Sequence, residues 1–338
     1  MASISCRTGQ CIATGGGRSS LNRPQEPQAW TLSKGRWSVV SLPGGTTTRQ
    51  TLESVSCSQP NSCVAVGWTQ VGAASKGFAE RLVSGVWLQT PLPSGTPQLY
   101  SVSCLSRTWC MAVGSAKQQP ESNIALEWNG TTWRQITTAA VTPSEFYGVS
   151  CLSSTFCMAV GYSGASPLAE EWNGTSWTNT SPPANPPPVG GKALAAVSCT
   201  SASFCLAVGF NAGGTRGGIV MSWHGSRWAV PKVSSKLSSA VWGGVSCTSA
   251  TWCLVAGDVS PANTQNFLHY PVIGRWNGTS LAALGFTRVG RESALGAVSC
   301  TRARWCAVVG SYTTRDGAQD PLIERWDGVT IDRMWAPL

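Results

Sequence analysis

The apolar and polar positions of this 338-residue chain follow one pattern that returns seven times. Residues 146–162, FYGVSCLSSTFCMAVGY, show it most clearly. Val and Cys alternate with small residues, a short turn follows, and a continuous apolar run leads from the second Cys to a glycine. The alternation predicts a strand with one buried face, and the continuous run predicts an interior strand covered on both faces. Each copy therefore begins with a predicted β-hairpin.

A second hairpin is predicted in the later half of each copy. Its clearest examples are WNGTTW at 128–133 and WNGTSW at 172–177, where Asn-Gly lies between aromatic residues. Asn-Gly is a strong signal for a type I′ turn, because that turn requires positive φ at both central residues. Asn129, Asn173 and Asn277 also match the N-glycosylation acceptor pattern, so a glycan is the alternative reason for these residues.

Four short strands in every copy predict a blade, and seven copies predict an all-β, seven-bladed β-propeller with antiparallel strands. The first cysteines of the copies recur every 47 to 53 residues, at Cys6, Cys57, Cys104, Cys151, Cys199, Cys247 and Cys300. We expect a single domain over residues 1–338. Its blades are expected at about 1–46, 47–95, 96–142, 143–190, 191–238, 239–290 and 291–338.

All fourteen cysteines belong to the repeat, two in each copy. Six pairs are spaced C-x5-C and the first is spaced C-x4-C. We expect one disulfide within each blade: Cys6–Cys11, Cys57–Cys63, Cys104–Cys110, Cys151–Cys157, Cys199–Cys205, Cys247–Cys253 and Cys300–Cys306. Zinc is the alternative, but a zinc site needs four ligands close together, and the chain contains only two histidines.

Persistent disulfides form in oxidising compartments, so the cysteine pattern predicts a secreted, extracellular protein. Met1 stands five residues before Cys6, and no signal peptide lies between them. We therefore expect that this sequence starts at the mature domain. A reduced, cytosolic protein is the alternative.

The repeat resembles known propeller families. The turn WNGTSW at 172–177 looks like a relaxed form of the Asp-box turn of sialidase-superfamily propellers. The whole unit, VSC-x5-CxAVG followed by WNGxxW, is similar to Cys-paired repeats in secreted bacterial propeller proteins. The resemblance implies that this turn joins the third and fourth strands of a blade. It does not imply sialidase activity, because the Arg-Ile-Pro segment of that family is absent and the family has six blades.

The charge of the chain does not favour a nucleic-acid partner. The net charge is +9, but the 24 Lys and Arg residues are scattered rather than gathered on one segment. We expect a solvated basic surface. No run of 18 or more apolar residues predicts a membrane span. No metal motif, phosphate loop or dinucleotide fingerprint is present, so we expect neither a metal nor a cofactor.

Candidate ligand-binding residues lie where the repeats differ. The loops between the second and third strands and the connections between blades vary, whereas the other turns are short and regular. Exposed aromatic rings beside polar groups suit a sugar ligand, with the rings sealing the blade ends as the alternative. The candidates are Tyr100, Tyr147, Trp242, Trp68 and Tyr162, with His269 and Tyr270 in the long sixth-repeat segment at 258–272.

Catalytic candidates are few because the chain has only fifteen Asp and Glu residues. A glycosidase needs two carboxylates about 5 to 10 Å apart. The candidate pairs are Glu53 with Glu145 and Glu53 with Asp258. A polysaccharide lyase would use His269 or Tyr270 as its base. Neither set has a diagnostic spacing.

These observations lead to three function classes. The first is an extracellular, non-catalytic, lectin-like module that binds a glycan or another cell-surface polymer. The second is a carbohydrate-active hydrolase or lyase, and the third is a protein-interaction scaffold. We expect a monomer.

Overall fold

A computed structural model describes residues 1–17, 26–40, 42, 50–72, 74–116, 121–139, 142–182, 192–211, 217–259, 269–286, 289–290, 292–315 and 317–334. Within these residues the chain forms almost only β-strands. Seven sheets follow one another along the chain, each built on four consecutive antiparallel strands, and one of them has a fifth strand that pairs in parallel. This arrangement is the seven-bladed β-propeller predicted from the repeat.

The chain divides into two compact units. The first is made chiefly of Met1–Ala159 and Glu170–Asn179, and the second chiefly of Val160–Ala169 and Thr180–Ala336. Blades one to three belong to the first unit and blades five to seven to the second. Blade four contributes strands to both. The expectation of a single domain therefore stays a prediction.

The first four blades contain sixteen strands. Blade one is β1 (Ser3–Arg7), β2 (Gln10–Gly17), β3 (Glu26–Ser33) and β4 (Arg36–Val40). Blade two is β5 (Gln50–Gln59), β6 (Ser62–Val71), β7 (Ala74–Val83) and β8 (Val86–Thr90). Blade three is β9 (Gln98–Ser106), β10 (Trp109–Ala116), β11 (Ser122–Trp128) and β12 (Trp133–Ile136). Blade four is β13 (Ser144–Ser153), β14 (Phe156–Ser163), β15 (Ser166–Trp172) and β16 (Trp177–Asn179).

The last three blades follow the same order. Blade five is β17 (Lys192–Ser201), β18 (Phe204–Asn211), β19 (Gly218–Trp223) and β20 (Trp228–Ala229). The connection after it holds β21 (Lys232–Val233) and a 3-10 turn at Ser235–Leu237. Blade six is β22 (Ala240–Ser249), β23 (Trp252–Val259), β24 (Tyr270–Trp276) and β25 (Ser280–Phe286), and β21 pairs with β25 in parallel as a fifth strand. Blade seven is β26 (Glu292–Arg302), β27 (Trp305–Thr313), β28 (Gln319–Trp326) and β29 (Ile331–Met334).

Each disulfide joins two residues that face each other across the first hairpin of a blade. In blade three, Cys104 of β9 lies opposite Cys110 of β10, with their Cα atoms 4.1 Å apart. The other six bonded pairs have Cα separations of 3.9 to 4.1 Å. So short a separation is typical of a non-hydrogen-bonded antiparallel pair. All seven predicted disulfides are confirmed.

The same register explains the serine that precedes each first cysteine. A residue in a non-hydrogen-bonded pair points its backbone N–H away from the partner strand, so the N–H of Cys104 needs another acceptor. Ser56 Oγ of blade two accepts this hydrogen bond at 2.9 Å. The same bond recurs within the units, with Ser5, Ser103, Ser198 and Ser246 as acceptors. The Ser-Cys motif therefore links the first strands of neighbouring blades.

A β-bulge interrupts the first hairpin of several blades at one position. In blade three, Val113 faces Ser101 and Gly114 faces Leu99, so Tyr100 has no partner residue in β10. A Cβ on Gly114 would collide with the carbonyl oxygen of Gln98, so the glycine that ends the apolar run permits the bulge. The unpaired residues of this kind are Glu53, Tyr100, Ala195, Gly243 and Gly296.

The second hairpins turn in two ways. In blades one and two, residues 34–35 and 84–85 form two-residue turns with positive φ at both positions, as in type I′. In blade three the loop has four residues, 129–132, and only Gly130 has positive φ. The prediction of a type I′ turn at Asn129 is therefore wrong. The side-chain Oδ1 of Asn129 instead accepts hydrogen bonds from the backbone N–H groups of the second and third residues after it, at 3.0 and 2.9 Å.

Apolar side chains fill the space between neighbouring blades. In the first unit, Val64 and Val66 of blade two pack with Leu99 and Trp128 of blade three. In the second unit, blades five and six share a core that includes the fully buried Trp242, and blades six and seven share another. The large buried rings and aliphatic side chains supply most of the folding free energy that a β-rich chain gains from burial.

Candidate functional site

A group of aromatic and acidic side chains lies at the end of blades two to four that is opposite the disulfide turns. We call it the Tyr100 cluster, and it consists of Glu53, Trp68, Gln98, Tyr100, Glu121, Glu145 and Tyr147. All seven residues belong to the first unit. Five of them are candidates that the sequence suggested for ligand binding or catalysis. Trp68 lies in the second strand of its blade, and the others lie in the first strands of theirs: Glu53, Tyr100, Glu145 and Tyr147.

The β-bulges determine which side chains project at this end. A bulge bends its strand and re-aims the unpaired side chain. Glu53 and Tyr100 occupy the bulge in blades two and three, each four residues before the first cysteine of its blade. Tyr147 has the same spacing to Cys151. Ala195 and Gly243 occupy the bulge in blades five and six, so those blades present no large side chain at this position.

Tyr100 and Tyr147 form the aromatic part of the cluster. Their ring centroids lie 5.6 Å apart and the ring planes meet at 61°, an edge-to-face arrangement. Both side chains are half-buried. The hydroxyl of Tyr100 donates a hydrogen bond to Oε1 of Gln98, which is itself buried. The two rings are therefore held in place and remain partly open to solvent.

Glu53 and Trp68 form a second contact in the cluster. The indole Nε1–H of Trp68 donates to Glu53 Oε1 at 2.9 Å, and both side chains are half-buried. Trp68 follows the glycine that permits the bulge at Glu53. The bulge and the strand opposite it therefore place a carboxylate and an indole side by side.

Burial and three nearby carboxyl groups raise the pKa of Tyr100. Burial is the main reason that the pKa of Tyr100 lies above its ordinary value, and the charge of Glu145 is the next. Tyr147, Glu53 and Glu121 raise this pKa further. Glu145 is only 1% exposed, and its Oε2 has no hydrogen-bond partner among the residues that the structure describes.

This electrostatic environment defines what the cluster can do chemically. A hydroxyl whose pKa is raised stays protonated at neutral pH, so Tyr100 serves as a hydrogen-bond donor and not as a phenolate nucleophile. The carboxylates and Gln98 are acceptors for hydroxyl or amine groups. The cluster therefore combines aromatic ring surfaces with hydrogen-bond acceptors, three of which are carboxyl groups. Glu53 and Glu145, which the sequence suggests as a carboxylate pair, both raise the pKa of Tyr100, and the pair stays a prediction.

The second unit contains a different pair of candidates. His269 Nδ1 lies 2.5 Å from Asp258 Oδ2, and the two side chains are 43% and 16% exposed. The backbone carbonyl of His269 accepts a hydrogen bond from the N–H of Ser293 in blade seven at 2.9 Å. Tyr270 begins β24 and is half-buried. Residues 260–268 of this predicted segment lie outside the described residues.

The expectation that Trp242 is an exposed ring is wrong. Trp242 is 1% exposed and lies in the core between blades five and six. It stands five residues before Cys247, one residue before the bulge, whereas Tyr100 stands four residues before Cys104. Successive side chains in a strand point to opposite faces of the sheet. A difference of one residue therefore directs the Trp242 side chain into the core instead of towards the end of the blade. Tyr162, at the end of β14, is half-buried.

Among the residues that the structure describes, no group of three or more His, Cys, Asp or Glu side chains is arranged to hold a metal ion. The same residues include no helix that is long and apolar enough to cross a membrane.

No family model matches the chain, and no curated protein matches its sequence. Solved propeller structures have a similar fold. The complex of YCF48 with a D1 peptide superposes with a TM-score of 0.60 at 12% identity, covering 96% of this chain and 90% of that one. The SapL1 lectin in complex with α-methyl fucoside gives 0.53 at 12%, covering 84% and 95%. The Trypanosoma rangeli sialidase in complex with sialic acid gives 0.50 at 9%, covering 95% and 53%.

At these low identities the similarities show the propeller fold and nothing further. The resemblance to sialidase propellers expected from the turn motif therefore extends to a distant likeness of fold. The Asp-box relationship, the bacterial origin and the secreted location stay predictions.

Proposed function

We propose that this protein is an extracellular, non-catalytic binding module whose Tyr100 cluster holds a glycan. The observation that carries the proposal is the edge-to-face pair of Tyr100 and Tyr147, which is half-buried and surrounded by hydrogen-bond acceptors. A pyranose packs the C–H face of its ring on an aromatic surface, and its hydroxyls need acceptors and donors at the edge. The cluster supplies both.

The charge of the cluster narrows the class of glycan. Glu53, Glu121 and Glu145 together place negative charge around Tyr100. Like charges repel strongly at a partly buried site, so sialylated, uronic and sulfated sugars are disfavoured there. Neutral sugars and amino sugars are the expected ligands, because a hydroxyl or an ammonium group donates to a carboxylate.

Two further observations support this proposal. The chain forms seven disulfides, and disulfides persist in an oxidising, extracellular environment. One of the propellers with a similar fold is a lectin in complex with a fucoside. We propose that the protein acts as a monomer.

An enzyme is the second candidate, and the contact of His269 with Asp258 favours it. A carboxylate that accepts a hydrogen bond from an imidazole fixes the orientation of the ring, and a general base needs such an orientation. Glu53 and Glu145 near one hydroxyl would serve a hydrolase. Against this, no pair of carboxylates in the Tyr100 cluster has the sequence spacing that is diagnostic of a glycosidase.

A protein-interaction scaffold is the third candidate. YCF48, which has a similar fold, has been solved with a D1 peptide bound. The carboxylates of the Tyr100 cluster would suit a lysine or arginine side chain on such a peptide.

A glycan array combined with a reducing-sugar assay tests the proposal. We expect binding to arrayed neutral or amino sugars and no release of reducing ends from the same polysaccharides. Release that disappears in Glu53→Gln, Glu145→Gln or His269→Gln would establish the enzyme in place of the binding module. Absence of any glycan binding, together with binding to a basic peptide, would establish the scaffold.

A further inference from the structure

A cavity of about 260 Å³ lies at the other end of blades two and three, where the disulfide turns are. Its walls come from the first turn of blade two, the second hairpin of the same blade and the first turn of blade three. Both blades belong to the first unit. The polar side chains that line it are Ser58, Asn61, Ser62, Arg81, Ser84, Ser106 and Arg107. None of the lining residues is acidic.

Arg81 is placed in this cavity by blade three. Its guanidinium carbon lies 5.3 Å from the centroid of the Trp128 ring, in cation–π geometry. The indole N–H of Trp128 in turn donates to the backbone carbonyl of Arg107 at 3.1 Å. Trp128 therefore contacts both the guanidinium group of Arg81 and the backbone of Arg107. Arg81 is half-buried, and Arg107 is exposed on the turn.

Arg81 has no oppositely charged residue facing it across the second hairpin, whereas the residues at the matching position in blades three and seven do. Blade three has Glu127 at the matching strand position, paired with Arg134 at 2.7 Å. Blade seven has Arg325 there, facing Asp332 across the hairpin at 3.4 Å. Blade two has Leu88 opposite Arg81. No carboxylate lies within ion-pair distance of Arg81 in the part of the chain that the structure describes.

The Nε–H group of Arg81 is also unsatisfied. This nitrogen is buried and has no hydrogen-bond acceptor among the described residues. A buried donor of a charged group without an acceptor costs free energy, which an acceptor brought by a ligand recovers. The guanidinium group presents its N–H donors in a planar fork that suits two oxygens of one anion.

We propose that this cavity binds an oxyanion through Arg81 and Arg107. The ligand group is a phosphate, a sulfate or a carboxylate, carried on a larger molecule or free in solution. Its oxygens accept hydrogen bonds from the Arg81 fork and from Arg107, with the hydroxyl of Ser106 at the rim. The site is distinct from the Tyr100 cluster, which lies at the opposite end of the same blades and carries the opposite charge.

The net charge of +9 adds a general attraction for anions, so the experiment must separate the cavity from that background.

Isothermal titration with inorganic sulfate, inorganic phosphate and acetate at low ionic strength tests the proposal. The variants are Arg81→Gln and Arg107→Gln. The matched control is Arg275→Gln, because Arg275 occupies the same strand position in blade six and is exposed. We expect saturable binding of one anion. Each cavity variant should weaken it by about tenfold or more, given the strength of charge-assisted hydrogen bonds, and the control should leave it unchanged.

The anions distinguish the sources of the ligand group. Tighter binding of sulfate and phosphate than of acetate assigns a tetrahedral oxyanion, and equal or tighter binding of acetate assigns a carboxylate. Absence of saturable binding to the intact protein would overturn the proposal. Equal weakening by Arg275→Gln would also overturn it, since the attraction would then be general. Arg107→Gln lies on an exposed turn and does not disturb the core, so unchanged affinity in this variant would count against the cavity.

Discussion

The rings of Tyr100 and Tyr147 meet at 61° with their centroids 5.6 Å apart, and they come from the first strands of neighbouring blades. Each residue stands four positions before the first cysteine of its repeat. The repeat therefore creates the contact: the same structural position in two consecutive blades carries the same side chain. Where that position holds alanine or glycine, as at Ala195 and Gly243, no such pair can form.

Replacing Trp242 by alanine tests its assignment to the core. The ring is 1% exposed and packs among the apolar side chains of blades five and six. Truncation of a buried tryptophan leaves a cavity, and we expect a loss of about 3 to 5 kcal/mol in the free energy of unfolding. Glycan binding by the folded fraction should be unchanged. Denaturant unfolding measures the stability, and titration with the same glycan measures the binding. Weaker glycan binding at unchanged stability would show that Trp242 contacts the ligand.

Replacing Gly114 by alanine tests the role of the bulge. A Cβ at this position would collide with the Gln98 carbonyl, so the strands must separate and Tyr100 must move. We expect a loss of about 1 to 3 kcal/mol in unfolding free energy, as for other overpacked sites, and weaker ligand binding. Gly285→Ala is the matched control, because a Cβ there meets no atom within 4 Å. Equal behaviour of the two variants would show that the bulge does not depend on this glycine.

The architecture was predictable because it is repeated. Fourteen cysteines at two spacings, a recurring apolar run and a recurring second turn determine blade number, strand order and disulfide pairing. The predicted type I′ turn at Asn129 failed because the side chain of Asn129 competes for the backbone N–H groups and closes a longer loop. Propensity alone does not distinguish these two uses of asparagine.

The candidate site was only partly predictable. Tyr100, Tyr147 and Glu53 each stand four residues before a first cysteine, whereas Trp242 stands five residues before Cys247. The bulge lies between these two positions, so the strand pattern alone does not show that Trp242 points into the core. The bulge has a sequence signal, the glycine that ends every apolar run. That signal becomes interpretable only when the register of the two strands is known. The cavity at Arg81 has no local signal, since it depends on Leu88 standing where another blade has an aspartate.

Replacing Ser103 by alanine tests the hydrogen bonds between blades. Ser103 Oγ accepts from the N–H of Cys151 at 3.0 Å, and its loss leaves a part-buried donor without that acceptor. We expect a decrease of about 1 kcal/mol in unfolding free energy. Ser153→Ala is the control, because the Ser153 hydroxyl bonds within its own exposed turn. Chemical denaturation under non-reducing conditions measures both, and equal losses would contradict a role in joining blades.

Glu80 should make stability depend on pH. It is 2% exposed, and burial raises its pKa to about 7 from an ordinary value of 4.5. The folded state therefore holds this proton more tightly than the unfolded state. The stabilisation is complete below about pH 4.5 and is lost as the pH rises through about 7, by roughly 3 kcal/mol for a shift of this size. The denaturation midpoint of the native protein should therefore be higher at about pH 5 than at about pH 8. The Glu80→Gln variant should show little of this difference.

The measurement that tests the central claim most directly is the affinity of Tyr147→Ala for a glycan identified on the array. Stacking of a flat ligand on an aromatic ring is worth about 1 to 3 kcal/mol, so the dissociation constant should rise about five- to 150-fold with little change in melting temperature. Tyr147→Phe keeps the ring and should bind nearly as the native protein does. Tyr312→Ala is the outside control, since that ring is covered by Arg333 at 4.6 Å in blade seven. Unchanged affinity in Tyr147→Ala, with a large loss of stability, would contradict the account and assign the ring to the core.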